Sequence, residues 1–247
     1  MITTRIATDI PALQDAHQLP LLQPDQDYDY LLTMLDNTLQ LVTKNQQFNP
    51  LVIDFTVGRL GYRLAHRSFK NELIAKACGL KTLKSPTVLD TTAGLGKDAF
   101  ILASFGCQVT LLERNPIVAA LLADGLIRGA QDPAIAEIIA RMTLIKTDAK
   151  HYCAAHPKQI DIVYVDPMFP AKTKSALAKK EMQIFQDIIT DHDSDELFEL
   201  AKTCATSRVV VKRPLQSSFV KNEKPDIIFE GKSHRFDVYT INQCRLG

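Results

Sequence analysis

The chain has 247 residues, 46% of them apolar and 23% charged, with a formal net charge of +1. That suffices for one large α/β domain, or one domain plus a small appendage, around a sizeable core, and it excludes a global basic field of the kind that draws in nucleic acid. Five scattered cysteines, with no CxxC pair and no Cys/His cluster, argue against a disulfide framework or a bound metal, and no apolar run approaches the roughly 20 residues of a membrane span.

Met1 to Asp15 has neither a basic n-region nor a long apolar h-region, so a cytoplasmic location is expected. Residues 1–27 carry Pro11, Pro20 and Pro24 and read as irregular. Tyr30–Leu35 and Thr38–Thr43 flank the polar pair Asp36-Asn37, which predicts a hairpin. Leu51–Phe55 predicts a third strand, making this opening a small β-rich module. Leu60 to Cys78 fits a helix, with Leu60, Leu64, Leu73, Ile74 and Ala77 near helical spacing and Gly79 as its stop. Module and linking helix together take up residues 1–84.

From Ser85-Pro86 onward, strands and helices alternate. Val88-Leu89 is a strand, Lys97–Phe105 a helix ended by Gly106, and Val109–Leu112 the next strand. Asn115-Pro116 supplies an N-cap and a first-turn proline for a helix through Arg128. Ile135–Arg141 is helical, Leu144-Ile145 and Ile160–Val165 are strands, and Ser175–Ile189 and Glu196–Cys204 are helices. Val209–Val211 is a fifth strand, and Ile227–Phe229 with Phe236–Ile241 makes a closing antiparallel pair. Residues 85–247 therefore predict an α/β, Rossmann-like, seven-stranded, mostly parallel sheet that binds ligands at the carboxyl ends of its strands.

Val88 to Asp98 reads as strand, tight turn and helix start, with Gly94 and Gly96 letting the backbone pass close to a ligand. Gly94 to Ala99 satisfies the dinucleotide pattern G-x-G-x-x-G/A, with Glu113 about twenty residues on, so a nicotinamide-dependent oxidoreductase stays open on this turn alone. Asp90 points elsewhere: a carboxylate just before the glycines suits a cationic amino-acid moiety, such as the methionine part of S-adenosylmethionine, better than a pyrophosphate. Glu113 ends the second strand, where it can accept both ribose hydroxyl protons. Arg114 beside it can lie along the adenine or face water. Asp148 ends the third strand and either meets an adenine amine or caps the segment from Ala149.

The run Asp166-Pro167-Met168-Phe169-Pro170 follows the strand Ile162–Val165. Its carboxylate can accept one N–H of a planar exocyclic amine and the Pro167 carbonyl the other, directing the nitrogen at an electrophilic methyl group by positioning and preorganised electrostatics. Phe169 can stack on the ring that carries the amine. The plainer reading is a proline-rich turn with a core phenylalanine, but such a turn needs no strand-end carboxylate.

Asp166 to Phe169 resembles the (Asp/Asn)-Pro-Pro-(Tyr/Phe/Trp) motif of amino-methylating class I methyltransferases, with Met168 in the second proline's place. Extended over Asp90–Phe100, Leu112–Pro116, Asp166–Pro170 with Lys174–Leu177, Val209–Pro214 and His234–Asp237, the chain is similar to the ribosomal RNA small subunit methyltransferase J family across about residues 50–241. The resemblance implies S-adenosylmethionine-dependent methylation of the N2 amine of a guanine in 16S rRNA. It implies a cofactor site lined by Lys97 and Asp98, Glu113 and Arg114, Asp148 and Ala149, and Asp166. Two departures stand out: Ala171 where a histidine is expected, and a stretch Arg63–Glu72 without the family's glycines.

Basic residues cluster from Arg208 to Arg235 and just after the Asp-Pro run, whereas Glu181–Glu199 is acidic. Taken alone, such runs are solvated faces. Beside the site, Lys172, Lys174, Lys212, Arg213 and Arg235 are expected to meet the backbone of 16S rRNA or of the assembled 30S subunit, as contacts that position without reading sequence. His66 and His234 read as ordinary surface or core histidines. An RNA-binding assembly factor on a retired methyltransferase fold remains an alternative, against which an intact Asp90, Glu113 and Asp166 set argues.

Overall fold

The computed structural model describes residues 6–11, 21–23, 27–44, 49–56, 61, 68–167 and 194–241. The helix expected over 175–189 lies outside them. A small sheet opens the chain, with strands β1 (Ile6–Thr8), β2 (Tyr30–Leu35) and β3 (Thr38–Thr43) in that order. β2 and β3 form the expected hairpin, and Asp36 and Asn37 adopt φ of 49° and 56°. Positive φ at both central residues matches the turn to the strand twist.

Two expectations for this region need correction. Ile6–Thr8 is not irregular: it pairs parallel with β2, and the Thr8 hydroxyl donates to the Leu32 carbonyl at 2.9 Å. Leu51–Phe55 is not a strand but makes a single antiparallel bridge, Leu41 to Leu51, before turning inward. Its alternate residues Leu51, Ile53 and Phe55 are buried, and the Phe55 ring stacks on Phe100 at 5.1 Å. The alternation was real, but it serves packing against helices rather than a ladder.

The main sheet contains β4 (Thr87–Asp90), β5 (Gln108–Glu113), β6 (Met142–Lys146), β7 (Ile160–Val165), β8 (Ala205–Pro214), β9 (Ile227–Glu230) and β10 (His234–Thr240). Their order is β6-β5-β4-β7-β8-β10-β9. The first five run parallel, and β10 lies antiparallel between β8 and β9. The chain works outward from β4 to β6, then restarts on the other side of β4 with β7. That reversal between β4 and β7 is a topological switch point, where open α/β sheets leave a crevice at their carboxyl ends.

Helices cover both faces: α1 (Leu73–Ala77), α2 (Lys97–Ser104), α3 (Pro116–Gln131), α4 (Ala136–Ile139), α5 (Ala149–Ala155) and α6 (Ser194–Cys204). Strand alternation divides the core in two. Ile162, Tyr164, Val210 and Val238 face α1 to α4 together with the small sheet, while Val163, Val165, Val209 and Val211 face α5 and α6. Asn115 caps α3 as expected, its side chain accepting from the Ile117 and Val118 amides at 3.0 and 3.2 Å. The helix expected over Leu60–Cys78 is not continuous. Among its described residues Gly61 and Leu73–Ala77 are helical but 69–71 forms a turn that interrupts the helix, with Gly79 at φ 68° closing the end. Among the described residues no helix is long and apolar enough to cross a membrane.

The small sheet docks on α3. The Leu39 amide donates to the Asp124 carboxylate at 3.2 Å, and the Arg128 guanidinium donates to the Ile53 carbonyl. Close approach is permitted by Gly125, where a Cβ would fall 2.8 Å from Ile53 Cγ2 and 3.0 Å from the Ile53 carbonyl oxygen. Alanine there would gain about 1 kcal/mol of helix propensity, against about 1–3 kcal/mol lost to overpacking. The second effect wins, so Gly125→Ala should lower the urea midpoint of unfolding with the m-value unchanged.

Candidate active site

The turn after β4 is fastened on both sides. Thr91 gives its amide and its hydroxyl to the Tyr164 carbonyl at 3.0 and 2.9 Å, and the Asp166 amide donates to the Thr92 hydroxyl at 2.7 Å. Those bonds tie the turn to the end of β7. On the other side the Gly94 amide donates to Glu113 Oε2 at 3.1 Å, and the Asn115 amide donates to Oε1 at 2.7 Å. Gly94 and Gly96 take φ of 53° and 69°, a left-handed geometry that other residues reach only with strain. The ends of β4, β5 and β7 are thereby fixed relative to one another before any ligand arrives.

Charge is concentrated where β4 meets β7. Asp90 is 2% exposed, and its carboxylate accepts the Thr92 amide at 3.1 Å. Burial pushes its pKa up to about 7; Asp98 and Asp166 add to the shift, and the Thr92 amide and Lys212 oppose it. The Lys212 ammonium lies between Asp98 Oδ2 at 2.7 Å and Asp166 Oδ2 at 2.8 Å. The Tyr164 hydroxyl donates to the same Asp98 oxygen at 2.8 Å. Burial raises the Asp166 carboxyl above its ordinary value, with Lys212 pulling the other way. Lys212 itself is held above the usual lysine range: burial works against its charge, but the two carboxylates outweigh that.

Around the notch, Glu113 is buried, and burial raises its carboxyl against the Asn115 and Gly94 amides that lower it. Arg114 pairs with Asp148 at 3.2 Å, and Asp148 also caps α5 by accepting the Lys150 amide at 2.8 Å. The capping reading of Asp148 holds, and the same carboxylate pairs with Arg114. Ala149 is buried at the start of α5, and Lys97 opens α2 on the surface.

Three of the basic residues expected at the RNA surface lie elsewhere. Lys212 belongs to the carboxylate cluster. Arg213 and Arg235 are 6% and 4% exposed. Arg235 pairs with Asp237 at 2.8 Å and donates to the Pro214, Leu215 and Ser217 carbonyls, and Arg213 donates to the Ser218 carbonyl at 2.6 Å. These guanidiniums satisfy the loop after β8 from beneath, and a buried cation with such partners is not offered to phosphate. Met168, Phe169, Ala171, Lys172, Lys174 and His66 lie outside the described residues. Sequence reasoning missed Thr92 and Tyr164. Tyr164 had a signal, because strand alternation puts it on the same face as Asp166 two residues on.

The donor set fits S-adenosylmethionine. Asp90 is a buried carboxylate suited to a cationic amino group, Glu113 retains lone pairs for ribose hydroxyls, and Asp148 retains them for the adenine amine. A family model described as "Putative SAM-dependent methyltransferase" matches residues 13–241. Fold and site together define a class I, S-adenosylmethionine-dependent methyltransferase, and the nicotinamide reading of the glycine turn falls away. The protein named ribosomal RNA small subunit methyltransferase J from Marinobacter nauticus is 46% identical over 229 residues, covering 90% of this chain and 82% of that one. Its counterpart from Aeromonas salmonicida is 50% identical over 197 residues, covering 79% of each. A solved SAM-dependent methyltransferase from Neisseria gonorrhoeae superposes with a TM-score of 0.74 at 33% identity, covering 97% of this chain and 96% of that one. The chain belongs to the ribosomal RNA small subunit methyltransferase J family.

The raised Asp90 pKa has two consequences of opposite sense. A carboxyl that holds its proton more tightly when folded stabilises the ligand-free protein most below its unfolded value near 4 and loses that contribution as pH rises through about 7. Holding a cation needs the ionised form. S-adenosylhomocysteine affinity, measured by calorimetry, should therefore rise about tenfold from pH 6 to pH 8, the ratio of ionised fractions about such a pKa. Asp90→Asn should bind more weakly at pH 8 and show no such rise.

Proposed function

We propose that this chain transfers a methyl group from S-adenosylmethionine to the exocyclic N2 amine of a guanosine in 16S rRNA. The observation that carries this reading is the Asp166 carboxylate, one-third exposed at the switch point and next in chain to the Pro167 carbonyl. Membership of a family whose named members act on small-subunit ribosomal RNA supports the choice of substrate.

The bound cofactor supplies an electrophilic methyl group on a sulfonium. Asp90, Lys97, Asp98, Glu113, Arg114, Asp148 and Ala149 would hold it, using the turn and strand ends already fastened together. Asp166 accepts one N–H of the target amine, and the Pro167 carbonyl accepts the other. Those two acceptors localise the nitrogen lone pair, which is otherwise delocalised into the ring. As the nitrogen acquires its new bond and a positive charge, the Asp166 carboxylate is the nearest acceptor for the proton it must give up. Phe169 stacks on the base, and Lys172 and Lys174 contact phosphates as positioning groups. A protein acting on ribosomal RNA in this way works in the cytoplasm.

The test is turnover with labelled cofactor on 16S rRNA and on 30S subunits from a strain lacking the gene, followed by mapping of the methylated nucleotide. Label should enter one guanosine at N2. RNA binding without turnover would instead favour a retired fold. Asp166→Asn should lower the rate by about 100-fold or more, the usual effect of losing one preorganised electrostatic contact. Phe169→Ala should weaken the RNA substrate by about 1–3 kcal/mol and leave S-adenosylhomocysteine affinity in place. Loss of cofactor affinity as well would count against the stacking role.

A further inference from the structure

Methyl transfer to the amine makes no direct use of the Lys212 ammonium, yet this cation sits between two carboxylates of the site. Its side chain is 25% exposed, and it bridges Asp98, in the first turn of α2, to Asp166, past the end of β7. The parallel register Tyr164 to Val210 puts residue 212 level with residue 166 on the same face of the sheet. Among the described residues the hydrogen bond that the Asp166 carboxylate accepts is at Oδ2, from Lys212. Asp98 is steadied in turn by the Tyr164 hydroxyl.

We propose that Lys212 is a positioning residue for methyl transfer: by clamping Asp166 Oδ2 to Asp98 it sets the carboxylate rotamer in which Oδ1 receives the target amine. The proposal rests on the reading that Asp166 receives that amine. A carboxylate on a loop after a strand has free rotation about two side-chain bonds. An ammonium anchored to a helix removes that freedom, which is how preorganised geometry becomes rate. The clamp also opposes the burial that raises the Asp166 carboxyl. Asp166 is faced by Asp98 from α2, Asp90 from β4 and the Tyr164 hydroxyl from β7, with the buried Cys78 thiol beyond α1 beside Asp90 and Asp98. Lys212 from β8 is the cation among them, and it favours the ionised Asp166 that an N–H requires.

The experiment is a pH profile of kcat and KM for wild type, Lys212→Met, Lys212→Gln and Lys212→Arg, with Asp166→Asn in parallel. Lys212→Met should lower kcat by about 100-fold, the usual result of small misplacement of a reacting group, while KM for RNA changes by less than about threefold. The acid limb of its profile should move to higher pH, because Asp166 has lost the charge that lowered its pKa. Lys212→Arg keeps the charge and should return the limb and most of the rate. Lys212→Gln carries the test if the methionine variant does not fold, and the same loss and shift are expected of it. A raised RNA KM with kcat and acid limb unchanged would overturn the proposal and make Lys212 a phosphate contact. Wild-type kcat in Asp166→Asn would sink the underlying reading. Loss of activity in Asp166→Asn beside unaffected Lys212 variants would sink the clamp alone.

Discussion

Burying a carboxylate costs several kcal/mol unless hydrogen bonds or an opposite charge offset it. This protein gathers Asp90, Asp98 and Asp166 where β4 meets β7. The offsets are local and identifiable: the Thr92 amide on Asp90, the Tyr164 hydroxyl on Asp98, and the Lys212 ammonium between Asp98 and Asp166. They are incomplete, since Asp90 still sits near 7. The shortfall is a reason for the site to favour a ligand that brings positive charge, and S-adenosylmethionine carries both an ammonium and a sulfonium. The ligand-free protein thus holds an electrostatic deficit that its cofactor makes good.

Much of the architecture was legible because it depends on neighbours in sequence. The Asp36-Asn37 hairpin, the Asn115-Pro116 helix start and the glycine stops at Gly79 and Gly106 are each set by a few adjacent residues, and each sits where local chemistry puts it. Alternation alone could not distinguish a strand from an extended segment packed on helices, which is why Leu51–Phe55 was misread. Ile6–Thr8 was hidden because three residues carry no period, and its pairing comes from β2.

For the site, Asp90, Glu113 and Asp166 were legible as carboxylates at or just past strand ends, whereas Asp98, in the first turn of α2, was singled out only by the family resemblance. The placement of the cations was not legible. Lys212, Arg213 and Arg235 are basic residues in a basic stretch, and surface exposure was the natural inference. Their burial depends on sheet register: Lys212 is carried level with Asp166 by the pairing of β7 with β8, and Arg235 is set opposite Arg213 by the antiparallel pairing of β10 with β8. Register is a property of two distant segments at once, and no local pattern records it. The docking of the small sheet on α3 through Gly125 and Ile53 is of the same kind, a fit between surfaces far apart in the chain.

The loop after β8 illustrates a division of labour. Its carbonyls at Pro214, Leu215, Ser217 and Ser218 are all taken up by two guanidiniums beneath it, one of which is itself neutralised by Asp237. The loop's shape is therefore set largely from below, by residues on β8 and β10, with the Ser217 hydroxyl, which donates to the Pro214 carbonyl and accepts from Arg213, as the loop's own contribution. Gln216 and Ser218, exposed on its outer side, are released from any duty to the fold. This rim of the crevice can change its chemistry by single substitutions while keeping its contour, which gives evolution or an engineer a place to retune contacts beside the chemistry without rebuilding the frame.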